Sequence, residues 1–136
     1  MTQTEVPAGA VATTPNCGVV ALAATTGHTI SDITRWYRRS AGKSARWQGG
    51  LRFVELRQFI LKHRMGWRAI PGACGTLKTF VDQHTATSTG RGYIVRVGGH
   101  FVAVTRGQVI DQMQSAPASE HWASNKRVSH AAEIVL

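Results

Sequence analysis

The stretch Gly98-Gly99-His100-Phe101-Val102-Ala103-Val104-Thr105-Arg106-Gly107-Gln108-Val109-Ile110-Asp111 decides how this chain is read. Two alternating apolar runs flank Arg106-Gly107, the pattern of a β-hairpin closed by a two-residue turn. With that turn, Thr105 pairs with Gln108, Val104 with Val109 and Val102 with Asp111. Successive side chains alternate between the two sides of a strand, so His100, Val102 and Val104 share a side with Val109 and Asp111. The spacing therefore predicts His100 and Asp111 as diagonal neighbours, within reach of a carboxylate-to-imidazole bond.

Outward from the hairpin, period-two alternation extends upstream through Tyr93-Ile94-Val95-Arg96-Val97. Downstream it gives way to a loose region around Pro117 and resumes in a last apolar strand, Ile134-Val135-Leu136. Before residue 93 the period is helical. Thr14-Pro15-Asn16 is a helix-start signal, and Cys17-Gly18-Val19-Val20-Ala21-Leu22-Ala23-Ala24-Thr25-Thr26 is nearly all apolar up to the stop at Gly27. A helix apolar on every side is predicted to be the buried central helix, with Cys17 at its N-terminus. Ser31-Asp32 is read as the cap of a second helix ending before Gly42, and a third runs from Leu51 to Arg64. Trp67 to Ile70 reads as a short strand, and Thr76 as the cap of a fourth helix carrying Leu77, Phe80, Val81 and His84. Residues 1–13 lack periodicity and read as a surface arm, and 85–92 as a polar loop. Helices first and antiparallel strands second is the order of an α+β fold.

The chain has 136 residues, 43% of them hydrophobic and 17% charged, which fits one globular domain spanning 1–136. Apolar runs are too short to span a bilayer, and Met1-Thr2-Gln3-Thr4-Glu5 lacks the pattern of an export signal. The expectation is a cytoplasmic protein with two reduced cysteines, Cys17 and Cys74, no membrane partner and no cofactor. Metal binding is not expected, because neither Cys belongs to a Cys-x-x-Cys or Cys-x-x-His pair and the six His are scattered.

The net charge of +9 is concentrated. Ten basic residues (Arg35, Arg38, Arg39, Lys43, Arg46, Arg52, Arg57, Lys62, Arg64 and Arg68) stand against one acid, Glu55, between positions 35 and 68, while the rest of the chain carries six of each sign. Such a surplus attracts nucleic acid, anionic surfaces or acidic protein, or simply forms a solvated face. Arg35, Arg38, Arg39, Lys43 and Arg46 are the candidate anion-binding residues. Trp36, Tyr37, Trp47 and Trp67 lie among them, which suits phosphate contacts combined with stacking.

Cys17, His100 and Asp111 have the chemistry of a triad. A helix N-terminus favours the thiolate, a neighbouring His supplies a cation and later a proton, and an Asp on the other ring nitrogen fixes the tautomer. Gly18 leaves room beside the nucleophile for a substrate. Cys74 in Gly72-Ala73-Cys74-Gly75 is the competing thiol.

Thr14-Pro15-Asn16-Cys17-Gly18-Val19-Val20-Ala21-Leu22-Ala23 at a helix start, with Gly99-His100-Phe101-Val102-Ala103-Val104 and Ile110-Asp111-Gln112 on a later hairpin, resembles papain-like cysteine peptidases. The nearest look-alikes are C39-type peptidases and small phage-type proteins with Tyr-Ile-Val-Arg-Val before Gly-His. The resemblance covers roughly residues 14–27 and 92–113. It implies a papain-like fold with N-terminal helices, Cys17 at the start of a buried central helix, and a small antiparallel sheet after them. It also implies Cys17 as nucleophile, His100 as general base and Asp111 as its orienting group. C39-type peptidases usually carry a Gln six residues before the Cys to hold the oxyanion, where this chain has Val11. The Cys17 backbone N–H supplies one remaining donor, with Asn16, Thr13 or Thr14 as the second, and losing one such donor costs on the order of 3 kcal/mol in activation energy.

The implied activity is that of a small thiol hydrolase acting on peptide or isopeptide bonds in a peptide or protein substrate. An acyl transferase uses the same chemistry, and a peptidoglycan amidase is a further branch. If phage-encoded, the protein would act in the host cytoplasm or the virion. The alternative is a basic nucleic-acid-binding or virion-associated protein on a papain-like scaffold with weak or lost catalysis.

Overall fold

The computed structural model describes residues 17–44, 50–72, 75–84 and 90–135. Among the described residues, four helices and a six-stranded antiparallel sheet follow one another as α1 (Cys17–Thr26), α2 (Ile30–Arg39), α3 (Phe53–Lys62), β1 (Gly66–Ala69), α4 (Leu77–His84), β2 (Gly92–Val97), β3 (His100–Thr105), β4 (Gln108–Ile110), β5 (Ser115–Pro117) and β6 (Val128–Val135). A short 3₁₀ turn, Ala118–Glu120, follows β5. The sheet order is β1-β6-β2-β3-β4-β5, so the architecture is α+β.

The central meander matches the sequence pattern in register as far as Ala103 and Ile110, but the expected pair of Val102 with Asp111 is not formed, because the chain turns after Ile110 and the Asp111 N–H goes to Gln114 O at 2.9 Å. Thr105 faces Gln108 and Val104 faces Val109, with Ala103 opposite Ile110. Arg106 (φ 52°) and Gly107 (φ 82°) both lie in the left-handed region, as a type I′ turn requires. Gly98 (φ 53°) and Gly99 (φ 88°) close β2 onto β3 in the same way, with Val97 opposite His100.

Alternation along the strands builds two cores. Ile94, Phe101, Ala103, Ile110 and Ile134 meet α1, α2 and α3 on one side of the sheet. Tyr93, Val95, Val102, Val104 and Val109 meet Leu77, Phe80 and Val81 of α4, with Ala118 and Ala123, on the other. Residues 18–23 of α1 are buried without exception, as expected of a helix with no polar face. Gly18 serves packing: a Cβ there would stand 3.1 Å from Leu56 Cδ2 and 3.3 Å from Leu51 Cβ, so the space beside it belongs to α3 and the segment leading into it. The reading of Gly18 as an opening for substrate is corrected accordingly.

Three further expectations change. The cap of α2 is Thr29, whose hydroxyl accepts from Asp32 N–H at 3.0 Å, so Asp32 is inside the first turn and Ser31 does not cap. Helix α3 is shorter at both ends than 51–64. The region around Pro117 contains β5, and the last strand starts at Val128, six residues earlier than expected, with a bulge where Arg96 and Val97 of β2 meet it. Ser129, His130 and Glu133 masked its alternation in the sequence, yet Glu133 is 2% exposed and pairs with Arg68 across β1. The Thr76 cap of α4 stands, its hydroxyl accepting from Thr79 N–H at 3.2 Å. The arm 1–13 and most of the polar loop lie outside the described residues.

Candidate active site

Cys17 is the first residue of α1, half-buried and a free thiol, against the core shared with Phe101 and Ala103. Its position along the sheet follows from the other end of the helix. Arg91, just before β2, donates from Nη1 to Thr26 O at 3.2 Å, and Tyr93 lies opposite Val104. The C-terminus of α1 is thus at the Thr105 end of β3. Ten helical residues span about 15 Å, close to the length of a six-residue strand, so Cys17 lies at the His100 end. At that terminus the first backbone N–H groups lack helical partners and favour an anion.

His100 is exposed at the start of β3, in phase with Val102 and Val104, and so on the side of the sheet opposite α1. Its ring stands 5.3 Å from that of Trp122 in an edge-to-face arrangement. The thiol and the imidazole therefore share one end of the packed α1–β3 pair.

Asp111 is the hub of this end of the molecule, with a different set of partners from the one the hairpin pattern predicts. It is 2% exposed. Oδ1 accepts the backbone N–H groups of Met113 and Gln114, both at 2.8 Å, and Oδ2 accepts Trp122 Nε1–H at 2.6 Å. The fully buried ring of His121 brings Nε2 to 3.6 Å from Oδ2, an electrostatic contact too long for a hydrogen bond. His121 Nδ1 accepts Ala123 N–H at 3.0 Å, which assigns the proton of the neutral ring to Nε2, facing the carboxylate. Burial pushes the Asp111 carboxyl upward, but His121 and the donors from Met113, Trp122 and Gln114 outweigh it and hold the group below the usual carboxylate range.

The expected bond from Asp111 to His100 is thus replaced: among the described residues Asp111 bonds Trp122 and two backbone amides and lies against His121, and it touches His100 only through the Trp122 ring. The physical reason is donor supply. A buried carboxylate takes the nearest N–H groups, and the turn after β4 with the segment returning from β5 presents four of them. Sequence reasoning missed His121 and Trp122, because nothing local links them to a residue ten positions earlier.

The other candidates distribute as follows. Thr14 and Asn16 of the oxyanion set, with Arg46 and Cys74, lie outside the described residues. Arg35, Arg38 and Arg39 are exposed on α2. Lys43 leaves the anion-binding set, since its ammonium turns to Glu55 at 2.7 Å and is only partly exposed. Among the described residues no group of three or more His, Cys, Asp or Glu side chains is placed to hold a metal ion, and no helix is long and apolar enough to cross a membrane. No protein-family model, curated protein or solved structure matches the chain.

Proposed function

We propose that the protein is a cysteine-dependent hydrolase of papain-like type, acting on peptide or isopeptide bonds. The observation that carries this reading is the placement of Cys17, first residue of the buried helix, and His100, first residue of the strand packed on it, at one end of the molecule. In this reading the Cys17 thiolate attacks the carbonyl carbon and His100, carrying the thiol's proton, gives it to the departing amine. Water then adds to the thioester with its proton taken by His100, releasing the acid and restoring the thiol. The Cys17 N–H supplies one donor to the oxyanion. Asp111 is a positioning residue: it anchors the Trp122 indole, and the indole backs the His100 ring.

The test is the pH profile of Cys17 alkylation by iodoacetamide, followed by peptide mass spectrometry, with Cys74 as internal comparison. An assembled site gives a Cys17 rate at pH 7 about tenfold above that of the urea-unfolded chain, because a helix N-terminus and a neighbouring imidazole favour the reactive thiolate. His100→Ala lowers that rate towards the rate of the unfolded chain. A Cys17 profile identical in the folded, unfolded and His100→Ala proteins overturns the catalytic reading.

A further inference from the structure

At the opposite end of α1 from Cys17, a second group of side chains converges that the hydrolase reading does not use. His28, just past the end of the helix, stands 5.0 Å ring to ring from His63 and 5.5 Å from Phe59. Trp36 of α2 meets Phe59 at 5.2 Å and His63 at 5.4 Å, and His63 stacks on Phe59 at 3.9 Å. These rings floor an open cleft of about 270 Å³ between α2 and α3, whose rim includes Arg35 and Arg39. The same two arginines border a second groove of about 380 Å³, lined with Ser31, Thr34 and Arg38. One arginine ridge thus separates an aromatic cleft from a hydroxyl-lined groove.

Among the described residues lining the cleft, the charge is of one sign with a single exception. Asp32 pairs with Arg35 at 3.0 Å, but both side chains are about half exposed, so the pair is screened and a phosphate can compete for the guanidinium. Arg38 and Arg39 project from the last turn of the same helix, and Arg91 acts electrostatically on His28 from the neighbouring β2 end. Guanidinium groups spaced along a ridge beside a ring-floored cleft match a flexible polyanion that carries flat apolar groups on a phosphodiester chain. A duplex hides those flat groups in its stack, and a lipid surface has none.

We propose that this ridge and cleft bind single-stranded nucleic acid, with phosphates on Arg35, Arg38 and Arg39 and a base against Trp36 and His63. Three phosphate contacts predict a log–log salt slope near −2 from these arginines, at about −0.7 per phosphate for a single strand. Seating a base on the rings adds about tenfold in affinity over charge alone. The site is independent of the thiol, about 15 Å away along α1.

The experiment is fluorescence anisotropy of the full chain with labelled oligothymidylate. Comparators are an abasic phosphodiester of equal length, a duplex of equal length and phosphatidylserine vesicles. Oligothymidylate is expected to bind at least fivefold tighter than the abasic chain and more tightly than the duplex. Its addition shifts the NMR imidazole signals of His28 and His63 but not that of His84. Arg35→Gln/Arg38→Gln/Arg39→Gln, all at exposed positions and checked by circular dichroism, weakens binding at least tenfold and flattens the salt slope. Equal affinity for the abasic chain overturns the proposal without recourse to any variant. So does unchanged binding by the triple variant, or a preference for duplex or vesicles.

Discussion

Asp111 shows how much one buried carboxylate can organise. Its two oxygens satisfy two backbone N–H groups and an indole, and a buried imidazole faces it from 3.6 Å. Asp111→Asn keeps the shape but turns an amide NH₂ or a neutral carbonyl towards donors that suited a carboxylate. Hydrogen bonds to charged groups contribute roughly 1.5–3 kcal/mol each, and Asn retains part of that, so a loss of about 2 kcal/mol is expected in urea denaturation. If Asp111 positions His100 through the indole, Trp122→Phe, which keeps the ring and loses the N–H, slows Cys17 alkylation less than Trp122→Ala. Equal effects of the two changes in the alkylation assay would mean that the ring backing of His100 is irrelevant to the thiol. The residue scale is also where the sequence misled most, since the donors that compete for Asp111 come from the turn after β4 and from Trp122 and are not legible in the hairpin pattern.

Among the elements, the β3–β4 hairpin was read correctly because its information is local. A two-residue turn with both positions at positive φ matches the twist of the strands it joins, and alternation then sets every pair. Arg106 at φ 52° is the costly member, because a Cβ in the left-handed region meets the following carbonyl. Arg106→Asn is therefore expected to stabilise by about 0.5–1 kcal/mol, and Gly107→Ala to destabilise by at least as much. Melting temperatures should move in opposite directions by roughly 2–6 °C, read by circular dichroism. Strand β6 was largely illegible for the opposite reason. Its buried members include Ala131, Ala132 and Glu133, which carry little or contrary hydrophobic signal, and its place between β1 and β2 makes it a strand.

Across the whole molecule, acid sensitivity follows from carboxylates held ionised by the fold. Burial acts against the charge of Glu55, but the Lys43 bond, the Arg52 backbone N–H and the nearby cations outweigh it and lower its pKa below the usual 4.5, as Asp111 is lowered below 3.8. A group whose pKa falls on folding binds protons more readily when unfolded, so its stabilisation is complete above the unfolded pKa and is lost as pH falls through the folded one. The expected result is a stability plateau above about pH 5 and a progressive decline below pH 4 in urea titrations. Asp111→Asn should make that acid limb shallower.

What the amino-acid order determined by itself was whatever depends on neighbours a few positions away. Residues 17–26 have no polar face, so the helix had to be buried. Residues 100–110 alternate around a turn only positive φ can close, so the hairpin and its register as far as Ala103 and Ile110 followed. The clustering of ten cations between 35 and 68 was visible as composition. Tertiary structure alone decided how those cations are engaged: Lys43 is drawn to Glu55 and Arg68, itself still exposed, to Glu133, while Arg35 and Arg39 line up beside a cleft of rings contributed by residues 28, 36, 59 and 63, with Arg38 on the adjoining groove. It also decided that Asp111 meets His121 and Trp122, and that Cys17 and His100 share an end of the molecule on opposite sides of the sheet. The physical reason is the same in each case. Turn and helix preferences are free energies of local backbone geometry, whereas a buried charge or a ring selects its partner from whatever the packed layers bring within a few ångströms.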